Sequence, residues 1–498
     1  MNDQPRARIA TGVVEGELMD GIAVFRGIPF AAPPVGANRF TEPRPARSWD
    51  GVRTLAEFGS VPPQHGRDSK DDDWLNLAVW TPDPGAGRLP VIVWISGGAY
   101  LQCSTANPYH DGRILAASGV VVVSMNYRVG AEGWAHIPGY PDNRGLLDQV
   151  AALRWVKDNV AAFGGDPDNV TVFGQSSGAG SVAALLVMPR AVGLFDRAIM
   201  QSLPGTYFTP ELAAQVTRCV VAELGPDLDA ERLVEVGPRR LMAAVTEMSE
   251  RLLPTMGVHW GPVAYTPTPF SPVVDGEILP VTPWEGLAAG SAAHRVPILL
   301  GHVRDEGRLL ATQGGPADDG AADQMIGSLA PTVQAHRYHA DFPGLAAAEL
   351  WEVALGDWLL RMPTLHLAEA ARAGGAQVWF SELCWGYGPE GAWHTLDALL
   401  VFGSADIFGE VTEAGPKAVQ RHHALSELMR REYVAFAATG DPGWPRFDPS
   451  DRATRIYATS PSVAAYPEQK SRAIWRNHRF TAMKPLTGRE PMEHGRRR

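Results

Sequence analysis

Ser176 stands in the stretch "VTVFGQSSGAGSV" (170–182), with Gly174 two places before it and Gly178 two places after. A serine hydroxyl becomes a useful nucleophile only with a base to take its proton, an acid to orient that base, and N–H donors for the oxyanion that forms. Glycine weakens strands and helices alike, so a pair of glycines around a serine is expected where a strand turns sharply into a helix and the two must approach closely. The pentapeptide G-x-S-x-G alone is weak evidence, because a glycine-rich chain produces it by chance. Its flanks carry the information: an apolar strand pattern precedes it and a small-residue helix pattern follows.

In a sheet of this kind the partners are expected in the chain order serine, acid, histidine, each at the C-terminal end of a later strand. The strand pattern "VPILLGH" (296–302) leads into "VRDEGRLL", which offers Asp305 and Glu306. The pattern "QVWFSEL" (377–383) leads into the glycine-rich loop "CWGYGPEGAWHTLDALLVFG", whose histidine is His394. Other downstream histidines are less suitably placed: His366, His422 and His423 fall inside helical patterns, and His336 and His339 inside an inserted helical region. For the oxyanion, the strand pattern "VIVWI" (91–95) ends in Ser96-Gly97-Gly98-Ala99-Tyr100. Small residues there can turn successive N–H groups toward a substrate, which makes Gly98, Ala99 and the residue after the nucleophile, Ser177, the expected donors.

These residues need a scaffold of strands and helices in alternation. "VIVWI", "GVVVVSMNY" (119–127), "VTVFGQ", "RAIMQS" (197–202), "VPILLGH" and "QVWFSEL" are short apolar runs of the kind found in strands buried on both faces. Between two of them, "RGLLDQVAALRWVKDNVAAFGG" places Leu146, Val150, Leu153, Val156 and Val160 on one helical face, with Gly164 as the stop. The order implies βαβ units, a mostly parallel sheet covered on both faces, and one α/β domain over 1–498. Stretches of about 205–290 and 312–375 lack strand patterns and are expected as helical insertions capping the sheet.

Composition narrows the function. The chain has 498 residues, is 45% hydrophobic and 20% charged, and carries a formal charge of −11, which disfavours nucleic acid and anionic membrane as partners. The "DDD" run at 71–73 reads as a solvated turn rather than a cation site. Neither a leader's apolar core nor a membrane-spanning run is legible. Three widely spaced cysteines, Cys103, Cys219 and Cys384, fit a reducing compartment and no zinc pattern, so a cytoplasmic, metal-free protein is expected.

With these motifs in view, the chain resembles the type-B carboxylesterases, the α/β-hydrolase lineage that also contains the cholinesterases. The resemblance runs through "VFRGIPFAAPPVGANRF", "LNLAVWTP", "MNYRVGAEGW", "NRGLLDQVAALRWVKDNVAAFGGDPDNVTVFGQSSGAG", "RAIMQS", "SPVVDG", "RDEG" and "TGDPGWPRF", in the family's order. It implies Ser176 as nucleophile, Glu306 rather than Asp305 as acid, His394 as base, no cofactor, and Ser202 and Asp397 as supports behind the histidine. A helix cap is the plainer reading of Asp397. The chain departs from the family pattern at Ser96, where His or Tyr is usual, at Ala99, the third of three glycines, and at Ser177, usually Ala. The Ala99 pattern is associated in the family with room for bulky alcohol groups. Trp74 stands where secreted relatives have a cysteine, and "QHGRDSKDDDW" offers no counterpart of the choline-binding aromatic, so cholinesterase activity is not expected.

The expected reaction is hydrolysis of neutral, moderately apolar carboxylic esters, since no Arg or Lys marks the neighbourhood of the motifs. Tyr100, Trp260 and Trp393 are the candidate pocket aromatics. Carbamate or amide hydrolysis by the same triad is the alternative, and a non-catalytic adhesion or scaffold relative is a third reading that the intact serine argues against. A monomer and a dimer are equally compatible with the sequence.

Overall fold

The computed structural model describes residues 4–67, 69–290, 296–311, 315–330, 333–404, 410–413 and 415–486. Its strands in chain order are β1 (Arg6–Ile9), β2 (Gly12–Glu15), β3 (Glu17–Met19), β4 (Ile22–Pro29), β5 (Val52–Thr54), β6 (Asn76–Thr81), β7 (Leu89–Ile95), β8 (Val121–Met125), β9 (Gly165–Gln175), β10 (Arg197–Gln201), β11 (Ile298–Val303), β12 (Val378–Leu383), β13 (Ala453–Tyr457) and β14 (Ser462–Ala465). Eleven of them form one sheet in the order β14-β13-β12-β11-β10-β9-β7-β8-β6-β4-β3, and β1, β2 and β5 form a small separate one.

The strands from β8 through β13 pair in parallel, while β3, β4, β6 and β14 add antiparallel edges. Sequence pattern exposes only the parallel centre; the edges, with their short or irregular runs, were not legible as strands. The centre is apolar on both faces for a visible reason. On β7, Val91, Val93 and Ile95 pack into one core while Ile92 and Trp94 pack into another, so each side chain of the run is enclosed. Burying each such side chain contributes about 1.5–3 kcal/mol.

The helix Arg144–Asn159 covers the first face, continues as a 3₁₀ turn through Phe163, and stops at Gly164, whose φ of 81° is open to glycine. Helices Leu396–Phe402 and Pro416–Thr439 cover the second face. The stretches 205–290 and 312–375 hold no strand of the sheet among the described residues; their longer helices are Pro210–Leu224, Pro238–Glu247, Asp319–Leu329, Ala347–Gly356 and Met362–Ala373.

Strand order creates the crevice. From β7 the chain moves to β8 on one side and then to β9 on the other, so the segments leaving β7 and β9 diverge at their C-terminal ends. Such a switch point is where open α/β sheets hold their ligands.

Candidate active site

Ser176 follows the last residue of β9 and precedes the helix Ser177–Leu185, with φ 56° and ψ −129°. A non-glycine residue in that region stores about 1–3 kcal/mol, and it persists only where its surroundings over-determine it. Here they do. A Cβ on Gly178 would lie 2.1 Å from the Ile95 carbonyl oxygen, one on Gly174 would lie 2.4 Å from the carbonyl of Gly178, and one on Gly97 would lie 2.7 Å from the Gln175 carbonyl. The Ser176 N–H donates to the Gln201 carbonyl at 2.9 Å, which ties the turn to β10.

The loop after β7 runs beside this turn. Ala99 and Tyr100 have φ of 55° and 58°, consecutive left-handed residues that bend the chain so that Gly97, Gly98 and Ala99 remain partly open to the crevice. The Gly98 carbonyl accepts the N–H groups of Leu101 and Gln102, while the N–H groups of Gly98 and Ala99 donate to no carbonyl or side chain among the described residues. Ser177 occupies the first helical position, where an N–H has no carbonyl four residues behind it. Two bonds hold the loop: Tyr127 Oη donates to the Ser96 carbonyl at 2.8 Å, and the Gly130 N–H donates to the Tyr100 carbonyl at 2.7 Å. The segment carrying Tyr127 and Gly130 is itself anchored by the fully buried Arg128–Asp148 pair, with Nη2–Oδ1 at 2.7 Å and Nε–Oδ2 at 2.8 Å.

Glu306 and His394 come from the segments after β11 and β12 and meet at 2.6 Å between Oε2 and Nδ1. Glu306 is fully buried, and its Oε1 accepts the Val303 N–H at 3.0 Å. Burial alone would raise its pKa, but the imidazole and the nearby Ser202 hydroxyl outweigh that and hold the carboxyl below its usual range. Ser202 Oγ is close enough to act electrostatically yet falls short of hydrogen-bond geometry. Burial would lower the pKa of His394, and the Glu306 charge and hydrogen bond, with Asp397 adding to them, raise it instead. Asp397 is pushed up to about 7 by burial and by Glu306, against the opposing imidazole; its Oδ1 accepts the Ala398 N–H at 2.9 Å.

Asp305 has a separate task. Its Oδ2 accepts the Ala392 N–H at 2.8 Å, and its own N–H donates to the Ala392 carbonyl at 3.0 Å, so it clamps the acid-bearing segment to the histidine-bearing one. Adjacent acids at 305 and 306 gave no sequence signal for this division of labour.

On the other side of the ring, the partner of His394 Nε2 is the side-chain amide of Gln175, at 3.2 Å, and among the described residues no hydrogen bond joins Nε2 to Ser176 Oγ. Gln175 was missed at the sequence level although it is the second residue of the G-x-S-x-G motif. Gln175, His394, Trp393, Gly97 and Gly98 all line one chamber of about 370 Å³. An adjoining apolar pocket of about 190 Å³, which shares Gln64 and Gln102 with that chamber, is lined by Leu101, Val129, Leu241, Met242 and Val245.

Two of the expected pocket aromatics are corrected. Tyr100 is wholly buried, packs on Trp134 at a ring separation of 4.6 Å, and belongs to the core beneath the loop. Trp260 is likewise core, its Nε1 donating to Gln215 Oε1 at 3.2 Å. The left-handed backbone at Tyr100 turns its ring inward, a reversal no sequence spacing announces. The expectation of no basic residue nearby also fails, because Arg67 lines the chamber. His302, near Glu306, is lowered to about 4 by burial and bonds to Tyr466 Oη and the Val303 carbonyl, which leaves it neutral and occupied. Among the described residues no group of three or more His, Cys, Asp or Glu is placed to hold a metal ion, and no helix is long and apolar enough to cross a membrane.

A strand-to-helix serine at the switch point, with a buried acid and imidazole pair opposite, defines a serine hydrolase of the α/β-hydrolase fold. A model of the Carboxylesterase family matches residues 3–341. Para-nitrobenzyl esterase of Bacillus subtilis (strain 168) is 34% identical over 93% of this chain and 96% of its own. Phenmedipham hydrolase of Pseudarthrobacter oxydans is 33% identical over 92% and 95%. Among solved structures, the Geobacillus stearothermophilus carboxylesterase EST55 superposes with a TM-score of 0.83 at 32% identity, covering 94% of this chain and 99% of that one. The chain belongs to the carboxylesterase family, and it is a carboxylic ester hydrolase.

Proposed function

We propose that Ser176 is the acylated nucleophile, His394 the general base and acid, and Glu306 the residue that fixes the imidazole with its proton on Nδ1. What carries this reading is the 2.6 Å Glu306–His394 bond on the chamber that Ser176's turn adjoins. With Nδ1–H donated to Glu306, the Nε2 lone pair of the neutral ring faces the chamber. The Gln175 amide donates to that lone pair at rest, and rotation of this side chain frees it for the Ser176 proton. Serine attack on the ester carbonyl forms a tetrahedral oxyanion held by the N–H groups of Gly98, Ala99 and Ser177. The imidazolium returns its proton to the departing alcohol, and water, deprotonated by the same imidazole, then releases the acid. Glu306 stabilises the charged ring throughout.

The neighbouring apolar pocket supports short to medium acyl or aryl groups as the preferred cargo. The chain's three cysteines, Cys103, Cys219 and Cys384, are in no disulfide, which supports a reducing cytoplasmic location that fractionation of the native host tests. The mechanistic test is covalent labelling with a fluorophosphonate, mapped by mass spectrometry. The adduct is expected on Ser176, with both labelling and p-nitrophenyl butyrate hydrolysis lost in Ser176→Ala; an adduct elsewhere would overturn the assignment.

A further inference from the structure

The catalytic chamber has one charged wall that the ester chemistry does not use. Arg67 lines that chamber and also a groove of about 580 Å³ beside it, which is lined too by Lys70, Arg239 and Arg240 and by Asp71 and Asp72. These charges differ in how they are engaged. Lys70 pairs with Glu57 at 3.3 Å, Arg240 donates to the Leu224 carbonyl at 2.8 Å, and Asp71 Oδ1 accepts the Asp73 N–H at 2.9 Å. The Arg67 guanidinium has neither a hydrogen bond nor an ion pair among the described residues. It is therefore an unused, planar, five-donor fork at the junction of the two spaces, and its charge reaches Cys103 on the chamber wall.

Such a fork matches a carboxylate, which it can engage through two parallel hydrogen bonds. Trp74, Pro238 and Met242 supply apolar surface along the same groove, which suits a spacer between an ester and a terminal charge. Resting on the esterase reading above, we infer that this site takes esters bearing a carboxylate remote from the scissile bond, with Arg67 as the residue that selects them. The remote carboxylate is a handle only. Water adds across the ester as before, giving one acid and one alcohol, and the second carboxylate leaves unchanged.

Arg67 is exposed, and exposed ion pairs are weak, so the expected selectivity is about two- to fivefold rather than absolute. The experiment compares two matched pairs: 4-(butyryloxy)benzoate with its methyl ester, and p-nitrophenyl hydrogen suberate with its methyl ester. The readout is the ratio of kcat/KM for the anionic over the neutral member, in which any general loss of activity cancels. In at least one pair this ratio is expected to fall about twofold or more in Arg67→Gln, to recover in part in Arg67→Lys, and to shrink for the unaltered enzyme as salt rises to about 0.5 M. A ratio unmoved by Arg67→Gln in both pairs, or insensitive to salt, overturns the inference and leaves the esterase reading standing. Failure to turn over any of the four esters, together with no fluorophosphonate labelling, removes both.

Discussion

Replacing Glu306 by Gln tests the site most sharply, because the two carboxylate oxygens serve different partners. Oε1 accepts the Val303 N–H at 3.0 Å and Oε2 accepts from His394 Nδ1 at 2.6 Å, and an amide has only one acceptor oxygen. If that oxygen stays with Val303, the NH₂ group faces Nδ1, and the ring is held with its proton on Nε2, where it can no longer accept from serine. If the oxygen turns to the ring instead, the buried Val303 N–H loses its partner. In either arrangement the charge that stabilises the imidazolium is gone. At the separation seen, with an effective dielectric near 20, that charge is worth about 6 kcal/mol. A neutral hydrogen bond returns about 1 kcal/mol of it. The remaining difference of about 5 kcal/mol corresponds to a fall in kcat of about 10³- to 10⁴-fold.

The assay is steady-state hydrolysis of p-nitrophenyl butyrate alongside the rate of fluorophosphonate labelling, with thermal unfolding to verify the fold. KM is expected within about threefold of the unaltered enzyme, since Glu306 is buried behind His394 and acts on the transition state. A variant that keeps more than about a tenth of the kcat would refute the placement of Glu306 as the charge behind the base.

Asp305→Ala removes the acceptor of the Ala392 N–H and is expected to lower kcat about 10- to 100-fold through misplacement of His394, whereas Asp305→Asn keeps a carbonyl there and stays within about tenfold; equal losses would contradict the clamp. Because His394 must be neutral to act and its pKa is raised, kcat/KM is expected to rise with pH through a midpoint above the ordinary 6.5. Asp397 contributes to that elevation, so Asp397→Asn moves the midpoint to lower pH, and a pH–rate profile shifted upward would count against the reading. Gln175→Glu puts a carboxylate against Nε2, favours the imidazolium, and moves the same midpoint to higher pH; an unmoved profile would show that the contact does not persist in solution. Asp148→Asn strands the buried Arg128 charge and is expected to destabilise the fold by about 3–5 kcal/mol in urea unfolding, with a change under about 1 kcal/mol contradicting the anchoring role.

Much of the centre was legible because its physics is local. Continuous apolar runs at 91–95, 119–127 and 170–175 read as strands since burial on both faces demands it, and the helix from Arg144 shows its covered face by spacing alone. The edge strands β3 and β14 are short and largely exposed, so no hydrophobic pattern marks them. Within the site, Ser176 was visible through its glycines and His394 through its place after the last strand pattern, while the resemblance chose Glu306 over Asp305. Tyr100 was misread because its direction depends on a left-handed backbone. Gln175, Asp305 and Arg67 act through geometry created when distant segments meet, and nothing in their spacing forecasts it.

Around Ser176 the neighbouring segments touch main chain to main chain, with no side chain between Gly178 and the Ile95 carbonyl or between Gly97 and the Gln175 carbonyl. Reactivity is thereby written into the peptide skeleton, whereas substrate choice belongs to replaceable groups on the surrounding walls. Diversifying those walls is expected to yield descendants that change which molecules they accept while their hydroxyl stays poised, a division that favours rapid adaptation.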